Sequence, residues 1–224
     1  MCNIAYSPLH CHLTTSFLDG AALFNEFADR CKELKHSAVA ISDHGNILGH
    51  FAFNREMRKV DVKPIFGNEM YLVPNMQEKG KQNSDRREGE VKAFDYAHIT
   101  ILAANQKGYE NLLKLTTLSY REGFYYKPRI DVNSICRFGS GLALLSGCVI
   151  GEASKLINLD RIEEAHAWLD RMNQSVEQFY VELIPIPGLP ISERALPWLY
   201  AMAKDLNIPM VASDDSHFVR PEDF

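Results

Sequence analysis

The stretch AVAISDHGNILGHFAFNREMRKV, residues 38–60, contains the unit from which the fold can be predicted. Its first five residues form a short apolar run of strand length, which ends at Asp43, His44 and Gly45. Residues 47–60 then have the pattern of a helix. The stretch is therefore predicted to fold as a β-strand followed by a helix, with a carboxylate and an imidazole where the strand ends.

Similar units follow one another along almost the whole chain. Further strand candidates are NIAY (3–6), KPIFGNEMYLV (63–73), HITILAA (98–104), LALLSG (142–147), FYVELI (179–184) and PMVAS (209–213). Helical segments between most of them include residues 20–35, 107–119, 160–174 and 191–207. About seven such units predict an α/β fold, a barrel of mostly parallel strands wrapped by helices. Because the sequence has no internal repeat or obvious linker, residues 1–224 are predicted to form a single domain.

Two segments interrupt this alternation. The first, at about residues 74–96, is polar, charged and poor in β-branched residues, which predicts an exposed mobile loop. The second, YREGFYYKPRIDVNS at 120–134, is aromatic and basic and is predicted to be another long loop. The part GFYYKPR can be interpreted either as an arm that contacts a substrate or as a packed structural plug whose path is fixed by Pro128.

Composition excludes several classes of protein. The formal net charge of −5 and the pI of about 5.9 argue against a broad basic surface that coats DNA. No apolar run is long enough to cross a membrane, and the first ten residues lack the pattern of a signal peptide. The five cysteines are scattered and form no C-x-x-C pair, which favours free or metal-bound thiols in a reducing compartment. The expected location is the cytoplasm.

Nine potential metal ligands fall on or next to the predicted strands: His10, His12, Asp19, His44, Glu69, His98, Cys148, Asp215 and His217. Seven of them lie at or just beyond the carboxyl end of a strand, where active sites of parallel barrels are built. The placement of Glu69 and His98 is less clear, because they lie within a strand or at its start. Taken singly, His98 can equally be a capping residue, and a cysteine at the position of Cys148 is more often a small core residue than a ligand.

A mixed set of imidazole, carboxylate and thiolate ligands favours zinc, with manganese or iron as substitutes. Nine ligands exceed the needs of one tetrahedral ion, so two or three divalent ions are predicted, with Glu69 able to bridge two of them. Asp43, which is not itself a predicted ligand, is a candidate to orient one of the ligand imidazoles. Cys11 is expected to point away from its histidine neighbours, because side chains alternate along a strand. His36, His50 and His166 fall on helices or their ends and are assigned to the surface.

Several stretches resemble, in order, the amino-terminal PHP (polymerase and histidinol phosphatase) domain of bacterial replicative DNA polymerase III alpha subunits. They are LHCHLTTSFLDGAA, AVAISDHGN, KPIFGNEMYLVP, HITILAAN, YENLLKLTTLSYREGFYYKPRID, LALLSGCVIGE and PMVASDDSHFVRPED. The resemblance covers essentially the whole chain, and GFYYKPRID and LSGC are specific to the polymerase branch. It implies a distorted (β/α)7 barrel with a trinuclear metal site at the C-terminal ends of the strands.

The resemblance also implies how the ligands divide among three ions. His10, His12, Glu69 and Asp215 would hold the first ion, and Glu69, His98 and Cys148 the second. Asp19, His44 and His217 would hold the third. The chain departs from the family pattern at Leu13, Asn68 and Asp214, where serine, cysteine and asparagine are usual, but none of these three is a ligand. All nine ligand positions are filled, which is the pattern of the active members.

The function implied by this resemblance is metal-dependent 3′–5′ exonuclease activity on DNA, in which a metal-bound hydroxide attacks the phosphodiester. Tyr125 or Tyr126 would then stack on a base while Lys127 and Arg129 meet phosphates. The DNA 3′ end is the expected substrate and replisome proteins are expected partners, while the oligomeric state is left open.

Two other functions are compatible with the same ligands. One is a phosphatase acting on a small phosphomonoester, and the other is a catalytically idle metal-binding module of a polymerase. The chain stops at Phe224, soon after the last motif, so the palm, fingers and thumb of a polymerase lie outside it. Either a truncated polymerase domain or a stand-alone PHP protein fits this length.

Overall fold

The computed structural model describes residues 6–79 and 96–223, so most of the predicted charged loop lies outside the described residues. Seven strands belong to one sheet: β1 (Ala38–Ile41), β2 (Lys63–Leu72), β3 (Ala97–Ala103), β4 (Arg129–Ile130), β5 (Leu142–Leu145), β6 (Phe179–Leu183) and β7 (Met210–Ala212). Helices separate most of them: α1 (Phe24–Glu33), α2 (His50–Lys59), α3 (Gln106–Arg121), α4 (Val132–Phe138), α5 (Glu152–Asn158), α6 (Ile162–Ser175) and α7 (Pro190–Asp205). The predicted α/β class is confirmed.

The sheet runs in the order β1-β2-β3-β5-β6-β7, and β4 pairs with β2. Four of its strand pairs are parallel, as expected from the alternation of strands and helices. Strand β3 is the exception, because it is antiparallel to both of its neighbours, β2 and β5. One reversed strand distorts the barrel and places the start of β3 beside the carboxyl ends of the others.

The segment 8–13 joins the two edges of the sheet. On one side Pro8 and Cys11 accept hydrogen bonds from the backbone of Ala40 and Ser42, at the end of β1. On the other side the backbone groups of His10 and His12 both bond to Ser216, just beyond β7. The predicted first strand is therefore only a series of short bridges in the described residues, yet it closes the curled sheet. Residues 3–5 of that prediction lie outside the described part of the chain.

Side chains of the closing segment alternate between the metal-ligand side and the core. Cys11 and Leu13 are fully buried in an apolar cluster with α1, β1 and α2, including Phe27 and Phe53. Cys11 therefore points away from its histidine neighbours, as predicted from strand alternation. A larger cluster fills the space between β2, β3, β5, β6 and the helices α3 to α7. The two apolar clusters pack the helices against the strands, and polar side chains collect at one end of the barrel.

The second predicted long loop is shorter than the sequence suggested. Helix α3 continues to Arg121, β4 pairs with β2, and Asp131 caps α4 by accepting a hydrogen bond from the backbone of Ser134. Only residues 122–128 remain as a connection without regular structure. Among the helices that the structure describes, none is long and apolar enough to cross a membrane.

Candidate metal centre

All nine predicted ligands lie at one end of the barrel and form a single connected cluster. Each has a ligand atom within 3.6 Å of a ligand atom of another member. The closing segment supplies His10 and His12, and the loop after it supplies Asp19. The others come from the sheet: His44 follows β1, Glu69 is on β2, His98 is on β3, Cys148 follows β5, and Asp215 and His217 follow β7.

Glu69 is the centre of this cluster, and its side chain is 1% exposed. Its Oε1 atom lies 3.3 Å from Nε2 of His10 and 3.2 Å from Nδ1 of His98. Its Oε2 atom lies 3.3 Å from Nε2 of His12 and 2.8 Å from Nδ1 of His44. The carboxylate therefore lies between His10 and His12 on one side and His44 and His98 on the other, and each of its oxygens contacts one imidazole of each pair. A carboxylate that bridges two cations needs such a shared position.

The reversed direction of β3 explains the position of His98. In a parallel strand a residue at the start would lie at the opposite end of the barrel from the active-site loops. Because β3 is antiparallel to β2, its second residue, His98, pairs with Tyr71 near the end of β2. The sequence predicted His98 as a ligand candidate but gave no physical reason for its placement.

Buried polar atoms without hydrogen-bond partners collect at this cluster. Among the described residues, six such atoms belong to predicted ligands: Nε2 of His10, Nε2 of His12, Nδ1 of His44, both Oε atoms of Glu69 and Oδ1 of Asp215. Unsatisfied buried polar atoms are costly and rare, so six in one place require an explanation.

The spacing of these atoms fits cation binding. Ligands at the usual bond length of a tetrahedral zinc ion lie about 3.3 Å from one another. Five distances between ligand atoms in this cluster fall between 3.2 and 3.4 Å. They join atoms of His10, His12, Glu69, His98 and Asp215. The donor set and its spacing therefore suit divalent cations.

Three groups of ligand atoms are each compact enough to hold an ion: His10, His12 and Glu69; His44, Glu69 and His98; and His12, Asp19, His44 and His217. Asp215 joins the first group, because its Oδ1 lies 3.4 Å from Nε2 of His10 and 3.2 Å from Nε2 of His12. Cys148 joins the second, with its Sγ 3.6 Å from Nδ1 of His98. The grouping resembles the one implied by the family, except that His44 also faces Glu69 and His12 also lies in the third group.

The electrostatics of the cluster are set by carboxylates and imidazoles that compensate one another. Burial alone would raise the pKa of Glu69, but His10, His98 and His44 lower it well below its usual value. Burial would lower the pKa of His12, yet the neighbouring carboxylates of Asp215 and Glu69 raise it to about 9. Burial raises the pKa of Cys148, and Glu69 and Asp215 raise it further. A bound cation would replace the protons that this charge balance otherwise requires.

Asp43 holds a loop rather than an imidazole, which corrects the prediction made for it. Its Oδ1 accepts a hydrogen bond of 2.9 Å from the backbone of Leu13, and its Oδ2 accepts one from the hydroxyl of Thr15. Both partners lie between His12 and Asp19 in the sequence. Asp43 therefore shapes the connection between two ligands.

A carboxylate that the sequence analysis missed does contact an imidazole. Glu182 lies on β6, is 1% exposed, and has its Oε1 2.8 Å from Nδ1 of His10. The signal that could have revealed it is a charged residue inside the apolar strand candidate FYVELI. Buried charged residues are rare unless they are paired.

The four residues predicted to contact a substrate lie in and just after the connection 122–128. Nζ of Lys127 lies 5.1 Å from the centre of the Tyr71 ring, and that ring packs against His44 and His98. Tyr126 is 66% exposed. The connection therefore passes beside the ligand cluster.

Arg129 is buried, and its guanidinium donates hydrogen bonds to the carbonyl oxygens of Gly123, Met76 and Glu78. The Tyr125 ring covers the same guanidinium at 5.2 Å. These contacts match the interpretation of this part of the loop as a packed plug.

His50 contradicts its assignment to the surface. It is 5% exposed, donates a hydrogen bond from Nε2 to the carbonyl oxygen of Gly67, and packs on Phe66 and Tyr109. Burial lowers its pKa to about 4. The helix α2 begins at His50, and its first turn packs against β2, which the sequence pattern did not indicate.

Comparison with known proteins places the chain in a family. The family model described as "PHP domain" matches residues 8–185. DNA polymerase III subunit alpha of Aquifex aeolicus is 33% identical over 216 residues, which cover 96% of this chain. The same subunit of Borreliella burgdorferi is 36% identical over 218 residues, again 96% of the chain. In both cases the match spans only 18% of the relative's length.

Solved structures share the fold at low sequence identity. A proposed metal-dependent phosphoesterase from Bifidobacterium adolescentis superposes with a TM-score of 0.55 at 12% identity, covering 96% of this chain and 89% of that one. Together with the family match and the relatives above, this leaves one conclusion. The chain belongs to the PHP domain family, and nearly its whole length is homologous to the N-terminal PHP region of DNA polymerase III alpha subunits.

Proposed function

We propose that this chain is a metal-dependent phosphoesterase that removes nucleotides from the 3′ end of DNA. The observation that carries the proposal is the position of Glu69, which is shared by two groups of ligand atoms, one with His10 and His12 and the other with His44 and His98. Two cations bridged in this way form the arrangement that serves phosphoester hydrolysis in many enzymes. Zinc, manganese and iron are the ions that we expect, because the ligand set contains imidazoles, carboxylates and one thiol.

Divalent ions bound here would lower the pKa of a coordinated water and neutralise negative charge on the phosphoryl oxygens. The residues divide the other tasks among themselves. His10, His12 and Glu69 are almost fully buried and hold the deepest position, whereas Asp19 and His217 lie at its open side. We assign the phosphate of the substrate to this open side, where water and DNA have access.

DNA is favoured over a small molecule by the homologous region and by the loop beside the site. The relatives are DNA polymerase III alpha subunits. Lys127 is placed to meet a phosphate next to the cluster, and exposed Tyr126 can stack on a base. We assign Arg129 a supporting role, because its hydrogen bonds to three carbonyl groups already tie the loop to residues 76–78.

The experiment compares two substrates for the purified chain. A single-stranded primer carrying a label near its 5′ end and a generic aryl phosphomonoester are incubated with Mn²⁺ or Zn²⁺, with Asp215→Asn as the inactive control. We expect stepwise shortening of the primer from its 3′ end, little turnover of the monoester, and neither reaction with Asp215→Asn.

Two outcomes would contradict the proposal. Turnover of the monoester with an untouched primer would indicate a phosphatase that acts on small molecules. Stoichiometric metal content with neither substrate turned over would indicate the idle metal-binding module.

A further inference from the structure

A layer of buried polar side chains lies beneath His10, on four neighbouring strands of the sheet. Thr100 is on β3, Ser146 follows β5, Glu182 is on β6 and Ser213 follows β7, and none is more than 5% exposed. A carboxylate in such a place costs free energy unless it is well hydrogen-bonded. Its presence therefore calls for a specific role.

The hydrogen bonds of Glu182 are directed at His10 and its surroundings. Its Oε1 accepts from Nδ1 of His10 at 2.8 Å and from the hydroxyl of Ser213 at 2.7 Å. The hydroxyl of Thr100 lies 3.5 Å from Oε2 and 3.3 Å from the same Nδ1. The backbone N–H of Glu182 donates to the hydroxyl of Ser146 at 3.0 Å. These contacts fix the carboxylate in one orientation.

This contact determines which nitrogen of His10 carries the hydrogen. Because Nδ1 faces a carboxylate oxygen, Nδ1 must be the donor, and the lone pair of the neutral ring is then on Nε2. Nε2 is a buried atom without a hydrogen-bond partner, and it lies 3.3 Å from Glu69 and 3.4 Å from Asp215. The lone pair is thus directed at the place where a cation would share these ligands.

The other histidine of the closing segment has no equivalent support at such short distance. Nδ1 of His12 lies 3.3 Å from the hydroxyl of Ser16 and 3.6 Å from Oδ2 of Asp19. Asp19 is itself a predicted ligand, so it has a second task that Glu182 does not have. Of the two histidines of the closing segment, His10 is therefore the one whose orientation the protein interior controls more strictly.

We propose that Glu182 is a positioning residue of the metal centre, which orients His10 and strengthens it as a ligand. The inference rests on the proposed function, because it presumes that His10 binds a cation. Carboxylates that accept a hydrogen bond from a metal-binding imidazole raise its basicity and fix its rotation, and losing them weakens metal affinity about tenfold to hundredfold.

The test measures Zn²⁺ affinity by competition with a chelator, on Glu182→Gln, Glu182→Met and the exposed control Glu110→Gln. Glutamine keeps an acceptor oxygen of the same size, whereas methionine removes it. We expect weaker Zn²⁺ binding by about tenfold to hundredfold for Glu182→Gln, at least as large a loss for Glu182→Met, and no change for Glu110→Gln. The melting temperature of each metal-free chain is recorded so that only folded protein is compared.

A purely structural role for Glu182 predicts the opposite result. The metal-free melting temperature would fall while the Zn²⁺ affinity of the folded chain stays at the unsubstituted value, and this outcome overturns the inference. If the primer is still shortened by a variant with unchanged affinity, the inference fails while the proposed function stands. If the unsubstituted chain binds no Zn²⁺, both fail together.

Discussion

The deep and outer halves of the ligand cluster differ in their access to solvent. His10, His12 and Glu69 have side chains that are at most 1% exposed. Asp19, His44 and His217 have side chains that are 17 to 26% exposed. Each half contains two imidazoles and one carboxylate, so burial is the clearest difference between them.

From this difference we expect the deep half to anchor the metal ions and the outer half to take part in the reaction. Metal sites with a structural role are closed by protein ligands, whereas catalytic sites keep an open position for water or substrate. The deep half has the first character, because its ligand atoms face one another and carry no other hydrogen bonds. The outer half has the open character of a catalytic site, because its side chains are partly exposed. We therefore expect substitutions in the two halves to separate metal retention from turnover.

The largest effect is expected for Glu69→Gln, which removes the carboxylate shared by four imidazoles. Loss of a cation's charge stabilisation is worth several kcal/mol, which corresponds to a decrease of about a thousandfold in the rate of primer hydrolysis. Metal analysis should show at least one ion fewer per chain.

The thermal effect of Zn²⁺ gives a second measurement of the same variant. At a free Zn²⁺ concentration of 100 times Kd, binding stabilises the unsubstituted chain by about 2.7 kcal/mol, or roughly 5 to 10 °C. This rise in melting temperature should be small or absent in Glu69→Gln. Full metal content and an unchanged increase would show that the deep half does not depend on Glu69.

A smaller effect is expected for His217→Gln in the outer half. Primer hydrolysis should fall about a hundredfold, because losing one transition-state contact typically costs 10² to 10³ in rate. The deep ligands are intact in this variant, so most of the rise in melting temperature caused by Zn²⁺ should remain. His166→Gln, on helix α6, is the matched control. If His217→Gln abolishes the Zn²⁺ effect as Glu69→Gln does, the two halves act as one unit and the comparison is wrong.

The smallest effect is expected for Lys127→Ala, at the edge of the outer half. One lost phosphate contact should weaken primer binding by about tenfold at most and reduce the slope of log Kd against log salt by about 1. Metal content should not change. Lys114→Ala, at an exposed position of α3, is the control. Equal salt slopes for the two variants would remove Lys127 from the proposed DNA contact.

Much of the site could be predicted from residue types at the ends of strands. His44, Asp215 and His217 follow short apolar runs, and the carboxyl ends of parallel strands meet at one edge. The predicted positions of the strand ends therefore bring these three side chains together. A simpler argument predicted that Cys11 faces the core, because it needs only the alternation of an extended chain.

Other features of the site depend on contacts between distant parts of the chain, which local sequence patterns do not show. The direction of β3 is set by its pairing with β2 and β5, so the sequence could not show why His98 reaches the site. The charged residue within FYVELI marks Glu182 as unusual, but only the folded chain shows that it contacts His10. Asp43 has the sequence position of an imidazole partner, yet the loop from Leu13 to Thr15 folds over it and takes both of its oxygens. Long-range packing determines these three cases.

The closing segment has a consequence for the order of folding. Its backbone hydrogen bonds to Ala40 and Ser42 join residues 32 and 31 positions apart, but those to Ser216 join residues more than two hundred positions apart. Contacts of such separation are slow to form. His10 and His12 can meet Asp215 only when this last closure is complete, so tight capture of a metal ion would report that the chain has reached its finished topology. During synthesis, a ribosome-bound chain would acquire that property only after Ser216 has left the exit tunnel.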